Sequence, residues 1–96
     1  MYTKAIKKKG TVVEYYDNKG NKEIKKGGHR NWRNNNPGNI EMGKYAKKYG
    51  AIGDDGRFAI FPTYEIGQKA KSDLISKGKN YKGKTLEKVM EEKKDR

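Results

Sequence analysis

Two arginines, the only tryptophan and five asparagines fall between Arg30 and Ile40, in the order Arg-Asn-Trp-Arg-Asn-Asn-Asn-Pro-Gly-Asn-Ile. Asparagine side chains carry both donors and acceptors, a Trp face stacks on a sugar or a base, and Arg meets a carboxylate or phosphate through a planar fork. Trp32, Arg30, Arg33, Asn35, Asn36 and Asn39 are therefore candidate substrate-binding residues. The same residues also suit a purely structural cluster of Asx turns, and the composition does not separate the two.

The acids near this stretch are the candidates for catalysis. Cleaving a glycoside takes a carboxylic acid beside the leaving oxygen and usually a second carboxylate. Glu41 leaves the Asn-rich stretch directly and is the first candidate; as the next residue of an extended segment it points opposite to Ile40. Its alternative is a surface glutamate. Asp54 is a second candidate, with turn formation in Asp54-Asp55-Gly56 as its alternative. Glu14, between Val13 and Tyr15, is a third, with cross-strand pairing to a lysine as its alternative. His29 beside Arg30 offers a different chemistry, a general base with a phosphate clamp. With one His and no Cys, no zinc site is expected, and no cofactor is called for.

The elements that would position these residues come from pattern and punctuation. Residues 1–10 are basic and end in glycine, which predicts a frayed, flexible tail. Residues 11–16 are β-branched and aromatic, residues 17–21 are a turn cluster and residues 22–26 a return strand, together a β-hairpin over 11–27. Val13 and Tyr15 share one of its faces; Val12, Glu14 and Tyr16 share the other. The Asn-rich stretch has no helical or strand periodicity and is expected to be an irregular loop. Met42, Tyr45, Ala46 and Tyr49 fall at helical spacing, interrupted by Gly43. A glycine-rich loop over 50–56 leads into a strand over 57–61 that is apolar on both faces. Thr63 caps a helix over 64–77, where Ile66, Ala70 and Leu74 recur every four residues and Gly67 implies close backbone packing. Gly78 ends it, and Thr85 opens a last helix with Leu86, Val89 and Met90. The expected class is α+β in a single small domain over 11–96, with Ile40, Phe58, Ile60, Ile66 and Leu74 as its core.

At 96 residues, 31% of them hydrophobic and 38% charged, the core must be thin, and ten aromatics (seven Tyr, two Phe, one Trp) supply much of it. The net charge of +12 favours an anionic polymer as partner: nucleic acid, an anionic wall polymer or an anionic membrane surface. A lysine-rich solvated surface is its bland counterpart. No apolar run reaches the ~18 residues of a spanning helix, and the basic N-terminus has no apolar segment behind it, so no signal peptide is expected. Oligomeric state is not readable.

Three blocks taken together, Trp-Arg-Asn-Asn-Asn-Pro-Gly-Asn-Ile (32–40), Gly-Ala-Ile-Gly-Asp (50–54) and Phe-Ala-Ile-Phe-Pro-Thr (58–63), resemble the lysozyme-like, peptidoglycan-cleaving domains of phage virion proteins and related secreted bacterial effectors. More distantly, their order is similar to the β-lobe of bacterial glucosaminidases. The resemblance spans residues 29–90. It implies a small lysozyme-like domain with a short antiparallel β-lobe, the Asn-rich loop and one or two C-terminal helices. It also implies cleavage or binding of murein by an acid beside that lobe, with delivery to the wall by a phage or a secretion system. The family commonly has Arg after its Asn-Pro-Gly-Asn-Ile, where this chain has Glu41. The alternative function is a basic nucleic-acid-binding module or small toxin nuclease using His29 and Arg30.

Overall fold

The computed structural model describes residues 1–77 of the 96. The helix expected from Thr85, and the stop at Gly78, lie outside the described residues. Strands and helices are both present, and the chain is α+β. A three-stranded antiparallel sheet in the order β1-β2-β3 is formed by β1 (Lys4–Lys8), β2 (Val12–Tyr16) and β3 (Lys22–Lys26). There follow α1 (Arg30–Arg33), α2 (Lys44–Lys48), the two-stranded pair β4 (Gly53–Asp54) and β5 (Ala59–Ile60), and α3 (Tyr64–Lys77).

The hairpin forms where its residues predict it. Asp17 closes the turn: its carboxylate accepts the backbone N–H of Lys19 at 2.8 Å and of Asn21 at 2.9 Å, and Gly20 takes a φ of 88° that a side chain would resist. Val13 and Tyr15 are fully buried on one face, while Val12, Glu14 and Tyr16 share the other.

The first ten residues are not a tail. Lys4–Lys8 pairs along the whole of β2, from Lys4 opposite Tyr16 to Lys8 opposite Val12. Lysines on both faces hide any alternation in this segment. What recruits it is tertiary: the Ala5 N–H donates to the Ile52 carbonyl at 3.2 Å, and Gly53 lies so close that a Cβ there would run into the Ala5 carbonyl oxygen. The glycine-rich loop thus gives β1 a landing place, and Ala5 joins Val13, Tyr15 and Ile60 in one small core cluster.

The second cluster joins Ile40, Ala46, Ala59, Phe61, Ala70 and Leu74, with Met42, Tyr45, Tyr49 and Ile66 packed against it. The expected strand over 57–61 is shorter than its apolar pattern suggests, because the Asp55 carboxylate captures the N–H of Arg57 at 3.1 Å and of Phe58 at 2.7 Å in a turn. Ala59–Ile60 is still the most enclosed segment. It bonds to Ile40 on one side, through Ala59 N–H to the Ile40 carbonyl at 2.9 Å, and to Ile52 on the other, through Ile52 N–H to the Ile60 carbonyl at 2.9 Å. Of the five expected core residues, Ile40, Ile60 and Leu74 are buried and Ile66 is half-buried. Phe58 is the exception: it is only half-buried, in neither cluster, and Phe61 takes the interior place.

Helix α3 spans the residues its periodicity predicts, and Thr63 Oγ1 caps it by accepting the Ile66 N–H at 3.1 Å. Gly67 is where the helix meets the Asn-rich stretch; a Cβ there would collide with the Asn35 carbonyl oxygen. Helix α2 starts just after Gly43, and its Tyr45 and Tyr49 rings stack 4.9 Å apart. Tyr45 donates its hydroxyl to the Ala70 carbonyl at 2.9 Å, and the Tyr49 hydroxyl meets Asp73, which ties α2 to α3.

Candidate functional site

The Asn-rich stretch is not wholly irregular: Arg30–Arg33 makes one helical turn, with Arg33 N–H bonded to the His29 carbonyl at 2.9 Å. Beyond it Asn35 and Asn39 adopt left-handed φ of 51° and 46°, which asparagine tolerates better than most residues. Three asparagines then turn inward. Asn36 is fully buried; its Nδ2 donates to the carbonyls of Ile40 and Ala59, both at 2.9 Å, and its Oδ1 accepts the Ile40 N–H at 2.9 Å. Asn35 Nδ2 donates to the Phe61 carbonyl at 3.1 Å, while its Oδ1 accepts Lys25 Nζ at 2.6 Å. Asn34 is buried, with Nδ2 on Asp55 at 3.1 Å and its carbonyl accepting the Phe61 N–H at 3.0 Å.

This corrects part of the expected binding set. Asn35 and Asn36 are spent on Lys25 and on the backbone of Ile40, Ala59 and Phe61, so their donors and acceptors do not reach a ligand. Arg33 is also interior: its Nη1 donates to the carbonyls of Gly27 and Gly28 at 3.0 and 2.7 Å, and the Tyr15 hydroxyl donates to the Arg33 carbonyl. Here the structural reading of the asparagines prevails, because Asn35 and Asn36 donate to backbone carbonyls and Asn34 to the Asp55 carboxylate. Asn39 is half-buried with its Oδ1 enclosed.

Two of the expected acids are also placed away from a site. Asp54 is exposed and uses its carboxylate to accept the Gly56 N–H at 2.8 Å, a turn role. Glu14 lies on the three-stranded sheet, on the face turned away from the core, 3.9 Å from Lys8 Nζ. The hydroxyl of Tyr16, then the lysines Lys22 and Lys8, hold its carboxyl below the ordinary glutamate value despite some burial. Cross-strand pairing with lysine is the account the geometry supports. His29 is exposed at the start of α1 and makes no side-chain cap. Its neighbour Arg30 is turned to other partners.

Those partners define the surface where chemistry-bearing side chains do converge. Glu41 pairs with Phe58 in an isolated β-bridge, and Arg57 Nε donates to Glu41 Oε1 at 3.2 Å. The Arg57 guanidinium lies 4.8 Å from the centre of the Phe58 ring, and the Arg30 guanidinium lies 4.6 Å from it. Arg30 Nε is in turn 3.7 Å from Asp55 Oδ2. Burial pushes the Asp55 carboxyl up, but the N–H of Phe58, the Asn34 amide, the N–H of Arg57 and the Arg30 charge together outweigh it and hold the group below its ordinary value.

Each arginine is thus fastened through Nε to a carboxylate and laid on one aromatic ring. Their side chains remain 50% and 57% exposed, so both guanidinium groups stay accessible to solvent. Trp32 is 45% exposed. Its ring rests on Gly28, where a Cβ would come within 2.8 Å, and Lys25 Nζ sits 5.1 Å from its centre. Burial lowers the Lys25 ammonium below the ordinary lysine value, against the pull of Glu23. The structure therefore brings together Arg30 and Glu41 among the residues singled out in the sequence, and adds Asp55, Arg57 and Phe58. The pattern misread Phe58 because an aromatic in an apolar strand is ordinarily core; the approach of two arginines to it is a tertiary fact.

Among the described residues no group of three or more His, Cys, Asp or Glu could hold a metal ion, and no helix is long and apolar enough to cross a membrane. No protein-family model, no curated protein and no solved structure matches the chain, so the chemistry of this surface rests on its own residues.

Proposed function

We propose that the chain is a peptidoglycan-binding domain with a small lysozyme-like β-lobe, and that Arg30, Arg57, Phe58 and Glu41 form its wall-facing surface. The observation that carries this reading is the pair of exposed guanidinium groups held on the Phe58 ring beside Glu41. Murein presents sugar rings interleaved with peptide carboxylates. A guanidinium fork suits a carboxylate. The net charge of +12 adds attraction to an anionic wall.

Binding is favoured over cleavage by the state of the acid. Arg57 occupies a Glu41 oxygen that a general acid would have to turn towards a leaving oxygen. Asp55 is committed to its turn and to Asn34. Glu41 is the one carboxylate on this surface that substrate could free, by drawing Arg57 onto itself.

Co-sedimentation with purified murein tests the reading. Arg30→Ala with Arg57→Ala should release the protein from the wall while its melting temperature stays close to the parent's. If the parent also liberates soluble muropeptides and Glu41→Gln stops that release without loss of wall binding, the domain is an enzyme with Glu41 as its acid. No retention of the parent on murein refutes the reading, and cleavage of RNA or DNA lost on His29→Ala replaces it with a nuclease.

A further inference from the structure

The face of the three-stranded sheet turned away from Trp32 has an ordered composition. The strand registers set it in three rows: Lys4, Tyr16 and Lys22; Ile6, Glu14 and Ile24; Lys8, Val12 and Lys26. Four lysines stand at the corners of a flat patch about 10 Å across and about 13 Å along the strands. All four are exposed, as are Ile6 at 36% and Ile24 at 50%. Neither core cluster among the described residues includes a residue of this face. The acid on this face among the described residues, Glu14, lies 3.9 Å from Lys8 Nζ and accepts the Tyr16 hydroxyl.

From this arrangement we infer that the outer face of the sheet is a second binding surface, and that its partner is an anionic lipid bilayer. Three observations separate a bilayer from a soluble polyanion. The only aromatic ring on the face, Tyr16, already carries Lys4 Nζ at 5.1 Å and Lys22 Nζ at 6.0 Å, so it offers no bare platform for a base. Every cation is a lysine, a compact charge suited to a diffuse anionic surface rather than to bidentate recognition of single phosphates. Two isoleucines stand exposed in the middle row, where a hydrated polymer gains nothing from them but an interface can bury them. Lysine stems can lie along apolar surface while their ammonium groups stay at headgroup depth. A second copy of the chain is a poor occupant, since four lysines would meet four lysines. This surface is independent of the murein reading, because it uses none of the residues around Phe58.

Flotation with vesicles of phosphatidylglycerol mixed equally with phosphatidylcholine tests it on the full chain. Changing Lys4, Lys8, Lys22 and Lys26 to Gln should lower partitioning by roughly a hundredfold or more, since each lysine near an anionic surface is worth roughly fivefold. The control variant changes Lys44, Lys47, Lys48 and Lys69 of α2 and α3 to Gln, which removes the same charge, and should retain most of the binding. Ile6→Thr with Ile24→Thr keeps β-branched residues in the strands and should abolish the part of the binding that survives high salt. Equal losses in the two lysine variants would overturn the assignment, because net charge alone would then account for attraction. So would an unchanged partition in the isoleucine variant, or a failure of the parent to float with these vesicles. Loss of single-stranded DNA binding in the sheet variant, with no vesicle binding by the parent, would give the face to a nucleic acid instead.

Discussion

Phe58 and Phe61 lie three positions apart and have opposite roles. Phe61 is fully buried between the Asn-rich turn and α3, whereas Phe58 lies half-buried under two guanidinium groups. Truncating a buried phenylalanine typically costs ~3–5 kcal/mol, a large share of the stability of so small a domain. Phe61→Ala should therefore leave the chain largely unfolded at room temperature, while Phe58→Ala should fold, with a melting temperature lowered by only a few degrees, and should lose wall binding. Circular-dichroism melts of the two variants decide it, and equal losses would put Phe58 back in the core. Asp55 makes a second residue-scale prediction. Its folded-state value lies below its unfolded one, so its stabilisation is present in full above the ordinary aspartate range of about 4 and is lost as pH falls through the folded value. The gap in stability between the parent and Asp55→Asn should be constant from neutral pH down to about 5 and should shrink progressively below about 4. A gap independent of pH down to 2 or so would mean that the turn works by shape and not by charge.

At the scale of elements, two glycines decide how the pieces approach. In an isolated helix, Gly67→Ala would gain something like 1 kcal/mol. In this chain a Cβ at Gly67 has nowhere to go, because the Asn35 carbonyl oxygen and Pro37 already fill its place. Gly67→Ala should lower the melting temperature despite its better helix propensity, and a variant as stable as the parent would show that α3 stands further from the loop than the structure has it. Gly53 plays the same part between β4 and β1, where the Ala5 backbone takes the space. Both glycines stand inside sequence blocks that draw attention for other reasons, the helix and the Gly-Ala-Ile-Gly loop. Their common physical role is to let one backbone lie directly on another.

Among the described residues, four lysines of β1 and β3 share the outer sheet face, and Arg30 and Arg57 meet at Phe58. Attraction to murein by such a molecule is largely a matter of releasing small counterions, so retention should fall steeply between low and physiological salt. The Arg30 and Arg57 double variant should bind weakly at every salt concentration, because it loses the fixed forks as well as the charge. Retention of the parent that does not change with salt would show that +12 serves solubility alone.

The local pattern determined the hairpin, the shared face of Val13 and Tyr15, the capped helix α3 and the burial of Ile60 and Leu74. Each of these follows from interactions between residues close in sequence or from a strong period. The composition of the Asn-rich stretch determined that it would be stiff and rich in left-handed backbone, as Asn35 and Asn39 are. It did not determine where the side chains would point. Asparagine serves a ligand or a backbone equally well, and only the arrival of Ala59 and Phe61, more than twenty residues later, turned Asn35 and Asn36 inward. Tertiary contact likewise made β1 a strand, through Ile52 and Gly53, although its own lysines show no alternation. Phe58 reached the surface because Asp55 took the N–H groups of Arg57 and Phe58 and shortened the strand. The candidate site is assembled from three separate segments, Arg30, Glu41 and Asp55 to Phe58. No local period encodes it, because proximity between distant segments is a property of the packed chain alone.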